Sequence, residues 1–187
     1  MKVTQNVLDI VDEIKRRNAY YIFIDGCDGS GKSTLANEIA QKLTLLHINL
    51  DDYLEKNRGN FVDFIKYDLL KNEIDNSNCP VIVEGVCVLA VAQKLQINCD
   101  VHIYVKRMSD YGAWKDDDLY NEAKDVDAFL AEQNTQHRKF CEAMAQIEGE
   151  KYDPENTTIP KLTEELIRYH YEFKPQETAD IIYERLS

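Results

Sequence analysis

The sequence predicts an α/β fold in three layers, with about five parallel strands and helices on both faces. Three observations predict it. Short apolar, β-branched runs alternate along the chain with amphipathic helical segments, the order that a parallel sheet with crossover helices requires. At 187 residues and 44% hydrophobic composition the chain can fill one good core and is short for two, so a single domain over 1–187 is expected. Finally, Gly26-Cys27-Asp28-Gly29-Ser30-Gly31-Lys32-Ser33 fits the pattern G-x-x-x-x-G-K-[ST] and lies between a strand-like and a helical run.

The elements follow in order. Residues 4–17 are expected to form a helix: Val7, Leu8, Val11 and Ile14 share one face, and Lys15-Arg16-Arg17 suit a helix C-terminus. Tyr20 to Asp25 is a buried strand, and Ser33 to Leu43 carries apolar residues at helical spacing. Between them, three glycines let successive N–H groups turn inward around an anion at the start of a helix. The nucleotide-binding residues are therefore Gly26, Cys27, Asp28, Gly29, Ser30, Gly31, Lys32, Ser33 and Thr34. Lys32 is expected to reach the β- and γ-phosphates, Ser33 to ligate Mg²⁺ and Thr34 to bond the α-phosphate.

Leu45 to Leu50 reads as the second strand, ending at Asp51-Asp52-Tyr53. Carboxylates there stand where open α/β sheets gather ligands, although Asp also simply favours turns, and the local residues leave both readings open. Asn57-Arg58-Gly59-Asn60 is a turn, Phe61 to Asn76 a helix and Val81-Ile82-Val83 a third strand with Glu84 at its carboxyl end, placed for Mg²⁺ or its water shell. A short helix over Val86 to Leu95 leads to a fourth strand, Asp100 to Val105, with Lys106 and Arg107 just beyond it. That basic pair reads equally as a solvated surface or as part of a lid. Residues 107–150 form a helix-prone region, Tyr152 to Asn156 a loop, Leu162 to Phe173 a helix stopped by Pro175, and Ala179 to Tyr183 the last strand.

Charge narrows the partners. A net −12 opposes a sequence-independent grip on nucleic acid, which needs clustered Lys and Arg, so the expected ligand is a small phosphorylated molecule. Five cysteines without C-x-x-C spacing fit free thiols in a reducing compartment, and Cys27 alone sits where a helix N-terminus favours a thiolate. With neither an 18-residue apolar run nor signal-peptide features, the expectation is a cytoplasmic protein with no membrane partner; the sequence is compatible with a homo-oligomer.

Taken together, these residues resemble the uridine kinase and nicotinamide riboside kinase branch of the phosphate-loop kinases. The likeness runs through the loop, Leu50-Asp51-Asp52-Tyr53, Tyr67-Asp68, Val83-Glu84-Gly85, Tyr169 to Pro175 and Ala179-Asp180-Ile181-Ile182. It implies a phosphate-loop NTPase fold with a helical lid, and an ATP- and Mg²⁺-dependent transfer of the γ-phosphoryl group to a hydroxyl of a nucleoside-like acceptor. Asp51 would be the general base, with Lys32 and Arg107 the other catalytic residues. Ser33 and Glu84 would hold the metal, and Asp52, Tyr53, Tyr67 and Asp68 the acceptor. In one respect the sequence departs from that pattern: the stretch after strand four supplies one arginine where the family usually carries two or three, and an acidic run, Asp116-Asp117-Asp118, follows. Lys115 and Arg138 are the candidates to substitute. Two alternatives stay open, a kinase for another hydroxylated metabolite and a nucleotide-binding switch with little turnover.

Overall fold

The computed structural model describes residues 1–55, 59–119, 125–149, 151–154 and 157–186. Of the turn at 57–60, Asn57 and Arg58 lie outside these residues, as do Glu155 and Asn156 of the later loop. In chain order the elements are β1 (Lys2–Thr4), α1 (Val7–Arg17), β2 (Tyr21–Gly26), α2 (Lys32–Leu43), β3 (Leu46–Asn49), α3 (Tyr67–Asp75), β4 (Val81–Glu84), α4 (Val88–Leu95), β5 (Val101–Met108), α5 (Val126–Glu148), α6 (Lys161–Phe173), α7 (Pro175–Thr178) and β6 (Ile181–Leu186).

All six strands join one parallel sheet in the order β1-β6-β5-β2-β4-β3, with β2 central. Alternation along β2 sorts the layers. Ile22 and Ile24 face α1 and α2 in a core that includes Ile10, Ile14, Leu35 and Ile39, whereas Phe23 faces the opposite core with Leu70, Val91 and Leu166 from α3, α4 and α6. Among the described residues no helix is long and apolar enough to cross a membrane.

Several expectations are corrected. The sheet has six strands rather than five, because Lys2–Thr4 pairs with β6, and the first helix begins at Val7 instead of residue 4, where the Asn6 side chain accepts from the Leu8 amide. Residues 61–76 are not one helix: a short 3₁₀ turn at Val62–Phe64 precedes α3, and the Glu165 carboxylate takes the amides of Phe61 and Val62 that a helix would have left at its first turn. Lys106 and Arg107 lie within β5 instead of beyond it, since β6 keeps pairing to Met108↔Leu186. In the 107–150 region α5 is a single helix capped by Asp125, and only its first turns, at Phe129 and Leu130, are buried.

A buried polar chain ties the turn after β2 to α6. Asp25 is 1% exposed; its Oδ1 accepts from the Gly26 amide at 2.7 Å, and its Oδ2 accepts from the Tyr169 hydroxyl. Beside it His170 Nδ1 donates to the Leu166 carbonyl at 2.7 Å, so Nε2 accepts from the Tyr104 hydroxyl at 2.8 Å. Having given its proton away, Tyr104 accepts from the Cys27 thiol, with 3.6 Å between the atoms. Burial holds His170 below its ordinary value, consistent with a neutral ring. Replacing Tyr169 with phenylalanine strips a charged, buried acceptor of its hydroxyl partner, which costs roughly 1–3 kcal/mol. For a chain of this size the expected outcome is a melting temperature lower by about 5 °C; an unchanged melt would contradict the tie.

Candidate active site

At the carboxyl edge of the sheet, beside β2, a cleft of about 570 Å³ opens over the loop. It is lined from one side by Asp28, Gly29, Gly31, Lys32, Ser33 and Thr34, and from the others by Asp51, Leu54, Phe61, Glu84, Gly85, Val86, Leu162 and Arg185. Gly26, Cys27 and Ser30 are buried and do not line it. The left-handed φ of Gly26, Gly29 and Gly31 is what lets the loop coil; at Gly26 a Cβ would fall 2.7 Å from the Val105 carbonyl oxygen.

The start of α2 lacks a side-chain cap, with Gly31 at the N-cap position, whereas α1 and α5 are capped by Asn6 and Asp125. Its first-turn amides therefore have no partner from a capping side chain, and they border the cleft beside the exposed Ser33 and Thr34. Lys32 is 8% exposed, and its ammonium donates to the Cys27 carbonyl at 2.8 Å. Within this loop the lysine satisfies a loop carbonyl with one of its three N–H donors. Cys27 is no thiolate: burial pushes its thiol up to about 12.

Two carboxylates face the loop. Glu84 ends β4 opposite Asn49 of β3, is 1% exposed, and its Oε1 makes no hydrogen bond although His47 Nε2 lies 3.6 Å away. His47 Nδ1 donates to the Asn37 side chain at 3.0 Å, and its Nε2, like Glu84 Oε1, makes no hydrogen bond. A buried carboxylate oxygen without a hydrogen bond and an exposed serine hydroxyl on the same cleft are hard-oxygen donors of the kind Mg²⁺ takes, so the residues present fit that ion. Asp51 follows β3 in a 3₁₀ turn that is fixed by the Asn49 side chain accepting from the Asp51 amide at 2.9 Å. The adjoining Leu50 packs so tightly on Gly85 that a Cβ there would lie 2.9 Å from it, which sets the spacing of the two carboxylate-bearing strands. Partial burial first, then the negative charge of Glu84, hold the Asp51 carboxyl above its usual value, with Lys32 opposing.

The other predicted residues are placed differently. Asp52 and Asp68 are exposed and line neither this cleft nor its neighbour. Tyr53 and Tyr67 are half-buried, their hydroxyls donating to Glu73 and to the Val62 carbonyl, and neither lines either cleft. Arg107 reaches the loop, with Nη1 3.6 Å from where a Gly29 Cβ would stand and Nη2 3.9 Å from Asp116. Lys115 is exposed, and Arg138 on α5 donates to the Thr157 carbonyl. Arg185 in the cleft wall was not singled out from sequence; it lies in the same short segment as the last strand, and only the sheet register brings it to the loop.

A second cleft, of about 500 Å³, stands back to back with the first. Asn60 and Phe61, Cys87 and Val86, and Lys161 and Leu162 supply one residue each to the two cavities. Its floor is apolar, with Val62, Cys87, Ala90 and the stacked Tyr169 and Phe173 rings, and its rim is charged, with Asp63, Lys94, Glu164, Glu165, Arg168 and Glu172.

These features define an α/β protein with one six-stranded parallel sheet and a phosphate-loop sequence at the sheet's carboxyl edge. No protein-family model matches the chain, and no curated protein matches it in sequence. Among solved structures it is similar to a possible uridine kinase from Bacillus stearothermophilus, at 14% identity and a TM-score of 0.44 over 95% of this chain and 98% of that one. A likeness at that level says nothing of what this chain acts on.

Proposed function

We propose that the protein is a kinase that transfers the γ-phosphoryl group of ATP to a hydroxyl of a small, nucleoside-like acceptor. The observation that carries this reading is the gathering of Lys32, Ser33, Asp51 and Glu84 on one cleft at an uncapped helix start. An uncapped helix end and an ammonium suit phosphate oxygens, and a carboxylate held above its usual value suits proton abstraction near neutral pH. In the proposed reaction the loop amides and Lys32 hold the β- and γ-phosphates and Thr34 the α-phosphate. Ser33 and Glu84 hold Mg²⁺, which when bound offsets phosphate charge and orients the oxygens. Asp51 accepts the acceptor's hydroxyl proton, and Arg107 meets charge on the transferring group. The apolar floor of the second cleft suits a flat, nucleoside-sized ring. Tyr67 stands beside it through Lys94, whose ammonium lies 5.6 Å from the Tyr67 ring centre, whereas Asp52, Tyr53 and Asp68 line neither cleft and are assigned no contact with the acceptor.

The test is ADP release in the presence of a panel of nucleosides and other hydroxylated metabolites. Acceptor-dependent release supports the kinase. Tight ATP binding without release against any member of the panel would instead support a nucleotide-dependent switch.

Because Asp51 acts as a base only when ionised, kcat/KM should fall as the pH drops through its raised value. The acid limb is therefore expected above the roughly 3.9 of an unperturbed aspartate. A limb at or below that value in the pH–rate profile would remove Asp51 as the titrating group.

A further inference from the structure

The sheet register sets two arginines side by side at the loop. Arg107 of β5 pairs with Arg185 of β6, so both side chains leave the sheet on the same face, at its carboxyl edge. Arg185 Nη1 donates to the Ser30 carbonyl at 3.3 Å, and its side chain occupies the space above Gly31, where a Cβ would lie 2.7 Å from both Cδ and Nη1. Arg107 occupies the corresponding space above Gly29. Gly31 thus leaves room for the Arg185 guanidinium, while the Arg107 guanidinium stands at ordinary contact distance over Gly29.

Neither guanidinium has a carboxylate in close contact among the described residues. Like charges on neighbouring strand positions repel. Arg107 has Asp116 only at 3.9 Å, and Arg185 forms no ion pair with any carboxylate among the described residues. Asp28, Asp51 and Glu84 line the same cleft, yet among the described residues none of them forms an ion pair with Arg185. An anion seated on the loop between the two forks would give both the close partner they lack.

We propose that Arg185 is a nucleotide-binding residue that supplies, from the last strand, the second guanidinium for the triphosphate that the 107–119 stretch does not provide. It rests on the phosphate-loop reading above. The planar fork of arginine matches phosphate oxygens bidentately, and the bond to Ser30 pre-aims it while leaving its other N–H groups available.

The experiment is calorimetric titration of the full chain with a Mg²⁺-bound non-hydrolysable ATP analogue and, separately, with inorganic tripolyphosphate, for wild type, Arg185→Gln and Arg185→Lys. Glutamine keeps a donor for the Ser30 carbonyl but no charge, and lysine keeps the charge without the fork. The expected result is that Arg185→Gln weakens both ligands by about tenfold or more while Arg185→Lys, which keeps the charge but loses the fork, recovers only part of the loss. Three results would overturn the proposal. Equal tripolyphosphate binding by Arg185→Gln and wild type would do so, including when only the ATP analogue is weakened, which would mean stacking on the base. Equal loss in the glutamine and lysine variants would mean a structural tether, and wild type that binds neither ligand would remove the phosphate-loop reading along with this one. Arg185→Met gives the same readout should the glutamine variant fail to fold.

Discussion

Replacing Lys32 with methionine is expected to lower phosphoryl transfer by roughly a thousandfold and to weaken the nucleotide triphosphate by at least about tenfold, without unfolding the protein. Lys32 is the cleft's one ammonium among the described residues, and it is buried at the start of α2, where little water screens it. Methionine has similar length and keeps the packing of the stem, and the cost to the fold is one donor to the Cys27 carbonyl, which still accepts from the Ser30 amide at 3.2 Å. A loss of both activity and nucleotide affinity at an unchanged melting temperature is the signature. Retained affinity for the nucleotide would show that the loop is not where phosphate binds.

Replacing Asp51 with asparagine acts on the other half of the cleft. Turnover is expected to drop by about 10²- to 10⁴-fold, the usual worth of a general base, while nucleotide binding holds or improves because one negative charge leaves the triphosphate's surroundings. Stability moves the opposite way from activity. The folded protein holds the Asp51 carboxyl above its unfolded value, so its protonated form is favoured by folding, and that advantage is lost as the pH rises through the unfolded and then the folded value. At neutral pH the ionised group is therefore a net cost, and Asp51→Asn should melt no lower than wild type. Equal turnover in the two proteins would exclude Asp51 from the chemistry, and a markedly lower melting temperature would contradict the electrostatics argued for it.

Much of this arrangement was legible in the sequence because it is local. The loop needs glycine at defined spacing, its helix follows immediately, and Asp51 and Glu84 each end an apolar run, so strand polarity alone sends both to the carboxyl edge. What escaped is long-range. The three residues of β1 carry no pattern that marks a strand and become one only because Lys2 donates to the Asp180 carbonyl at the edge of β6. Lys106 and Arg107 looked like the end of β5 because apolarity stops at Val105, but hydrogen bonds to β6 carry the strand onward past polar residues. The helix expected from Phe61 was broken by Glu165, about a hundred residues away, taking its first amides. The tie between Asp25 and Tyr169 spans 144 positions, and the neighbouring of Arg107 and Arg185 is a property of register. Neither leaves a trace in periodicity.

The central claim is that a triphosphate held by the loop meets an alcohol prepared by Asp51. Its most direct test uses ATP radiolabelled in the γ-phosphate, incubated with Mg²⁺, the acceptor panel and an excess of protein for a single turnover. The account predicts that label moves from ATP to an acceptor in wild type and stays on ATP with Asp51→Asn. Label that stays on ATP with every acceptor, or moves equally well in both proteins, would contradict it.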